Sequence, residues 1–359
     1  MTTNKAIRNL EITPDIIKFL IALQQEPLAS FHQLARMLNV TPPTAKAKMD
    51  KISEVGLYYR VSADINCDAI DLQLVDMILE IDSKYHLVKT EDLLDKHPYI
   101  LFRGRIVGPQ KGIYVQFRIP KSTTNNLVKF LDRLKEKYII DYFNINSTGS
   151  SIYTKADFKA WNGLTWNYDW NWWFSELDSV PIISSKKYKS VLRRLSELDL
   201  KVLEELSYNA RIRNLDLATK LNVEPYQITR SIQFLKKNVI SGFRVFLTWQ
   251  VFNIFNPQII VIRTSKKERD RLYSNLINNP IPFQSTMRKT KHGIIWYLGI
   301  SQDQMSPFIG NLWNYFDDFD IYWLDYQSTE TYCFWSETFD TEKKSWKTDM
   351  KFMVNSIFE

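Results

Sequence analysis

The chain has 359 residues, 45% hydrophobic and 24% charged, with only 10 Gly and 13 Pro; at roughly 150 residues per domain this predicts two to three folded domains and excludes a long low-complexity tail. Lys and Arg number 47 against 40 Asp and Glu, a net charge of +7 that leans toward polyanions without identifying one. No run approaches the roughly 18 apolar residues of a membrane span and the first fifteen residues lack a signal-type stretch, so a cytoplasmic protein is expected. Cys67 and Cys333 show no CxxC or Cys/His spacing, which favours packing residues over a disulfide or a zinc site.

A duplication organises the chain. At an offset of 183, Lys18, Leu20, Leu23, Leu34, Ala35, Leu38, Asn39, Val40 and Pro42 recur without a gap as Lys201, Leu203, Leu206, Leu217, Ala218, Leu221, Asn222, Val223 and Pro225. In the first copy, Thr13-Pro14 opens a helix with Ile16, Phe19, Leu20 and Leu23 on one face, ending near Glu26-Pro27. Ser30 and Gln33 form a capping-box pattern before a second helix carrying Leu34, Ala35 and Leu38, and Asn39 suits the turn after it. Thr41-Pro42-Pro43 starts a third helix with Ala45, Met49 and Ile52 inward, and Gly56 marks its end. A strand over 57–61 stands where a β wing would. The second copy predicts helices over 196–206, 215–221 and 225–237 and a strand over 243–247.

Each helical unit precedes a βαββαβ pattern. The first reads as a strand over 74–81, a helix over 89–96, strands over 99–107 and 113–119 about Gly108-Pro109, a helix over 122–137 and a strand over 139–145. The second reads as 259–263, 266–278, 283–289, 294–300, 302–316 and 321–326. This is the ferredoxin-like order, an antiparallel sheet with two helices on one face, and pairing the two copies face to face would cover the other face. The fold class is therefore α+β, with two winged helix-turn-helix units (1–66 and 191–252), two ferredoxin-like domains (67–147 and 253–327), a Trp-rich extension (148–190) and a C-terminal extension (328–359). The extension holds Trp161, Trp166, Trp170, Trp172 and Trp173. Trp166-Asn167-Tyr168-Asp169 is echoed by Trp346-Lys347-Thr348-Asp349, which favours packing over nucleic-acid stacking.

A helix-turn-helix presents its third helix to the DNA major groove. Outward positions there are Thr44, Lys46, Lys48 and Lys51 in the first unit and Gln227, Thr229, Arg230 and Gln233 in the second, with Arg60 and Arg244 on the expected wings. Lysine is a point charge suited to phosphate, whereas Gln and Arg pair bidentately with base edges, so the second unit is expected to carry more of the base readout. The basic run Lys186-Lys187-Tyr188-Lys189 with Arg193-Arg194 stands in reach of phosphates.

Through Asp199-Leu200-Lys201-Val202-Leu203, Asn209-Ala210-Arg211-Ile212, Leu217-Ala218, Leu221-Asn222-Val223 and Val239-Ile240-Ser241-Gly242-Phe243, the chain resembles the leucine-responsive regulatory protein/AsnC family of archaeal and bacterial transcription regulators, in a tandem form of archaeal type. The resemblance implies double-stranded DNA as partner, dimerisation through the sheets, within the chain or between chains, and a small-molecule effector. The turns Lys111-Gly112-Ile113 and His292-Gly293-Ile294 lack the acid the family usually carries near its effector, which weighs against an amino acid. No catalytic residue, cofactor or metal site is expected. The competing readings are an effector-sensing scaffold without DNA, and an enzyme similar to siroheme decarboxylases, whose architecture looks alike and whose His-containing strand Lys291-His292-Gly293-Ile294 distantly resembles.

Overall fold

The computed structural model describes residues 12–137, 139–148, 151–183 and 189–359. Side-chain caps set the first helical unit. Thr13, Ser30 and Thr41 each accept the backbone N–H three residues on, opening α1 (Pro14–Gln25), α2 (Phe31–Leu38) and α3 (Pro42–Glu54). The second unit is α7 (Glu197–Tyr208), α8 (Asn214–Leu221) and α9 (Pro225–Asn238). The turn before each third helix uses the same device: Asn39 and Asn222 adopt left-handed conformations at φ 54° and 53°. Of the predicted apolar faces, Phe19, Leu34, Ala45, Leu203, Leu217 and Ile228 are fully buried.

The strands after the helices do not stand apart as two wings. β1 (Tyr58–Ile65) and β7 (Ile240–Leu247) pair with each other in an antiparallel ribbon, Val61 opposite Val245 and Ala63 opposite Phe243. Arg211 ties the units further, donating to the carbonyls of Pro27 (2.7 Å) and Ala29 (2.9 Å).

The βαββαβ order follows twice: β2 (Leu72–Glu80), α4 (Lys84–Asp95), β3 (Ile100–Val107), β4 (Lys111–Pro120), α5 (Thr124–Glu136) and β5 (Tyr142–Thr148), then β8 (Gln258–Arg263), α10 (Lys266–Asn278), β9 (Ser285–Lys289), β10 (Gly293–Leu298), α11 (Gln302–Tyr315) and β11 (Phe319–Leu324). Helix α4 begins five residues before the predicted start because the Ser83 side chain caps the backbone N–H of His86. Between β5 and α7 lie β6 (Ser151–Thr154) and the short α6 (Trp170–Ser175); after β11 come β12 (Glu330–Thr331), the β13 (Phe339–Asp340) and β14 (Ser345–Trp346) pair, and α12 (Met350–Met353).

The two halves do not form separate facing sheets. β3 and β11 join edge to edge, giving one antiparallel sheet in the order β5-β2-β4-β3-β11-β8-β10-β9-β6. On a flat sheet β2 and β9, six strands apart, would be separated by about 29 Å at ~4.8 Å per strand. Yet Asp76 on β2 and Arg288 on β9 meet at 2.9 Å, so the sheet curls until its ends face each other. Strand alternation sorts the residues. Val75, Met77 and Leu79 point to the outer helices, while Ile106, Tyr114, Ile259, Val261 and Ile295 form a smaller inner core. Curvature of the one sheet thus brings its inner residues opposite each other.

Each trailing segment crosses to the other half. β6 pairs with β9, and β12 pairs with β3. The tryptophan echo follows the same exchange: the indole N–H of Trp166 donates to the carbonyl of Phe252 (2.8 Å), and that of Trp346 to Ile70 (2.7 Å). Trp161, Trp166, Trp170 and Trp173 are buried among Phe252, Phe283 and Phe308, with Trp172 exposed, so the Trp-rich stretch packs as its composition suggested. Gly112 and Gly293 close the equivalent hairpins at φ 155° and 154°. A Cβ there would stand 1.9 Å from the carbonyl oxygen of Leu79 and 1.8 Å from that of Ile262. No helix among the described residues is long and apolar enough to cross a membrane.

Candidate nucleic-acid interface

Burial of Ala45, Met49 and Ile52 on α3 and of Ile228 and Leu235 on α9 turns the opposite faces of both helices to solvent. On α3, Thr44, Lys46 and Lys51 are exposed. Lys48 is committed elsewhere: its ammonium lies 3.0 Å from Asp15, half-buried, and this contact holds the Asp15 carboxyl below the usual carboxylate range. On α9, Thr229, Arg230 and Gln233 are exposed, with the Thr229 hydroxyl bonded to the Pro225 carbonyl (3.1 Å). Gln227 is engaged as a cap, its Oε1 accepting the backbone N–H of Glu224 at 3.0 Å.

Arg60 and Arg244 are not placed with these helices. They lie on the β1–β7 ribbon and border a cavity of about 770 Å³ between the ribbon and the inner face of the curled sheet. The reason is strand pairing, which gives the ribbon one face against the sheet and draws both arginines inward. The Arg60 guanidinium stacks over Tyr208 (5.3 Å) and Phe246 (5.0 Å); Arg244 pairs with Asp64 (2.9 Å) over the ring of Tyr153 (3.9 Å). Of the basic run, residues 186–188 lie outside the described residues, Lys189 and Arg193 are exposed, and Arg194 packs over Phe234. His292 is exposed at the β9–β10 hairpin, away from the cavity. Cys67 and Cys333 are free thiols bordering the cavity, and burial pushes both thiols up.

Sequence reasoning missed a polar network beside this cavity. Asp76 Oδ1 accepts hydrogen bonds from the Tyr114 hydroxyl (2.5 Å), Gln116 (2.6 Å) and Arg288 (2.9 Å), all on the inner face. A signal for it was present. Asp76 and Arg118 stand within mainly apolar strands, at positions that alternation assigns to the face away from the helices, whereas Arg288 lies in a polar strand and gives no such signal.

Residues 195–238 match the sequence family of winged helix-turn-helix DNA-binding domains. No curated protein sequence matches the chain. Among solved structures, the siroheme decarboxylase NirDL is similar in fold, with 10% identity and a TM-score of 0.54, covering 87% of this chain and 91% of that one. The same enzyme in complex with an iron-uroporphyrin III analogue matches with the same identity and coverage at a TM-score of 0.55. An AsnC family transcriptional regulator from Agrobacterium tumefaciens matches at 16% identity and a TM-score of 0.36, over 41% of this chain and 98% of that one. The chain therefore carries a helix-turn-helix unit of DNA-binding type within a mixed α and β fold similar to that of a siroheme decarboxylase.

Proposed function

We propose that the protein is a transcription regulator that reads DNA with two helix-turn-helix units held in one chain. The observation that carries this reading is the pair of exposed third helices, α3 and α9, tied together by the β1–β7 ribbon. In it, Lys46 and Lys51 contact phosphates with Thr44 beside them, and Arg230 and Gln233 reach base edges with Thr229 alongside. The two halves derive from one ancestral unit, and their pairing inside the chain gives a monomer two DNA-reading heads. Binding to random duplex DNA, followed by selection of an operator, tests this: Arg230→Ala should flatten discrimination between operators. Absence of DNA binding at any salt concentration would overturn the reading.

A second reading is favoured by the fold similarity to NirDL over most of both chains together with the large cavity: an enzyme acting on a tetrapyrrole. His292 is exposed on its hairpin and does not border that cavity. Absorbance of the purified protein with an iron tetrapyrrole tests it, since an unshifted spectrum would remove its support.

A further inference from the structure

A second cavity, of about 260 Å³, lies on the inner face of the curled sheet and shares no lining residue with the one under the ribbon. Both border the small inner core, the first at Phe102 and Tyr297 and the second at Ile78, Val261 and Tyr322. The two walls of the second cavity come from matching positions of the two halves. Glu80 stands opposite Gly112 and Arg263 opposite Gly293, the glycines of the equivalent hairpins, and both side chains line the cavity. Two residues back along each strand are Ile78, with Asn144 opposite it, and Val261, with Asp320 opposite it.

The matching positions carry unmatched charges. Glu80 and Arg263 border one space without an ion pair between them, because Asp318 and Asp320 take up the Arg263 guanidinium, each at 2.8 Å. The half-buried Glu80 carboxylate has no hydrogen-bond or ion-pair partner among the described residues. Lys111 on the adjoining turn is held by Asp82 at 3.3 Å. Two carboxylates thus serve one guanidinium, and a third serves none. Burial raises the Tyr322 hydroxyl to about 12, and the charges of Asp320 and Glu80 add to the rise, so both walls act on the same group.

Drawing a carboxylate out of water without a counter-charge costs stability, and a cation in the cavity offsets that cost. Among the described residues no three of His, Cys, Asp or Glu converge to hold a metal ion, which favours an organic cation. An ammonium carries three N–H donors and no acceptor. The lining answers with the carboxylates of Glu80 and Asp320 and the side-chain carbonyl of Asn146, whose own amide donates to Asn144 (3.4 Å). Ile78 and Val261, each beside one of the two carboxylates, supply apolar surface for methylenes. The ring of Tyr142, across the ladder from Glu80, already lies within 5.9 Å of the Lys135 ammonium and so accepts cations. The volume is below the roughly 300 Å³ at which sites for drug-sized ligands begin, so the ligand is small.

We infer that this cavity is a binding site for a small aliphatic polyamine, one ammonium held by Glu80 on the first wall and a second by Asp320 on the other. The site is separate from α3, α9 and the cavity under the ribbon, and it stands whether or not the chain binds DNA.

Calorimetric titration of the full chain with spermidine at physiological ionic strength is the test, with butylamine, which has one ammonium, as control. The net charge of +7 disfavours unspecific uptake of cations. Spermidine should occupy one site per chain and bind at least about tenfold more tightly than butylamine. Glu80→Gln, first shown to melt like the wild type, should weaken it about tenfold, the effect of one charge-assisted contact. Asn144→Asp, which adds a carboxylate at an exposed position of the rim, should tighten it severalfold. Asp82→Asn, which removes an acid outside the cavity, should leave it unchanged. No binding of spermidine, equal binding of butylamine, displacement by equimolar magnesium, wild-type affinity in Glu80→Gln, no gain in Asn144→Asp, or a loss in Asp82→Asn as large as that in Glu80→Gln would each overturn the assignment.

Discussion

The lysines of α3 divide into free and committed charges, and that division is measurable. Each phosphate contact releases counterions and contributes about −0.9 to the slope of log affinity against log salt. Between about 50 and 200 mM salt, a fourfold change, one contact is therefore worth roughly 0.5 log units, about 3.5-fold or ~0.7 kcal/mol. Lys46 and Lys51 are exposed, so Lys46→Ala with Lys51→Ala should remove about 1.8 from the slope and cut the salt-induced loss by roughly twelvefold. Lys48 holds Asp15 at 3.0 Å, so releasing it to a phosphate exposes an acid at the start of α1. Lys48→Ala should move the slope by clearly less than Lys46→Ala. Fluorescence anisotropy with a labelled random duplex over a salt series measures all three. Equal slope changes for Lys46 and Lys48 would refute the inference that the ion pair withholds a charge from DNA, and unchanged slopes in both would move the electrostatic contact off α3.

His97 is buried against Phe117 and Phe130 with its Nδ1 accepting the backbone N–H of Tyr99, and burial lowers its pKa to about 3. The unfolded state takes up the proton first, so the group's contribution is full above about pH 6.5 and is lost as pH falls toward 3; by pH 5 the loss is about 2 kcal/mol. Denaturant melts of the wild type and His97→Gln at both pH values should show that share of the acid sensitivity missing in the variant. Gly112→Ala and Gly293→Ala each push a Cβ into a neighbouring carbonyl oxygen, so each should cost several kcal/mol and lower the melting temperature by ~10 °C or more, against little change for Gly310→Ala on α11, whose Cβ meets nothing. Asp76→Asn leaves Arg288 buried without its counter-charge and should cost about 3–5 kcal/mol, whereas combining it with Arg288→Met should recover much of that; a double variant as unstable as the sum of both singles would disprove the coupling. Trp166→Ala and Trp346→Ala should each cost about 3–5 kcal/mol, and similar losses by thermal melts would show that both crossings carry weight.

Local rules made most of the secondary structure legible. Ser30 with Gln33 named a helix start that the structure forms as a reciprocal cap, and Asn39 named a turn that, like its counterpart at Asn222, adopts the left-handed conformation only a few residue types tolerate. What could not be read was destination. A strand of four residues such as Ser151–Thr154 has no periodicity of its own, and its partner β9 lies more than 130 residues away. The same holds for Arg60 and Arg244. Alternation divides their strands into two faces, but which face meets solvent depends on β1 finding β7 rather than forming a hairpin beside its own helices. The contacts of Gln227 and Lys48 were not legible for a smaller reason: an outward position on a helix wheel does not reveal a cap or an ion pair to the next element.

The crossings bear on why two helical units share one chain. A noncovalent pair of identical subunits would have to place the same residue at equivalent points of a symmetric interface. In the present chain β1 and β7 begin at Tyr58 and Ile240, so Arg60 has Gly242 as its counterpart in the ribbon, a cation at the cavity set against a residue without a side chain. Asp76 likewise has Ile259 at the offset of 183, on the apolar inner core. The exchanged strands β6 and β12 and the indole bonds of Trp166 and Trp346 keep near-equivalent roles and hold the halves together, and they leave the inner faces free to differ. Covalent linkage makes that pairing independent of protein concentration. A cavity with one set of arginines, instead of two mirrored sets repelling each other, is what such a linked pair permits and a symmetric dimer does not.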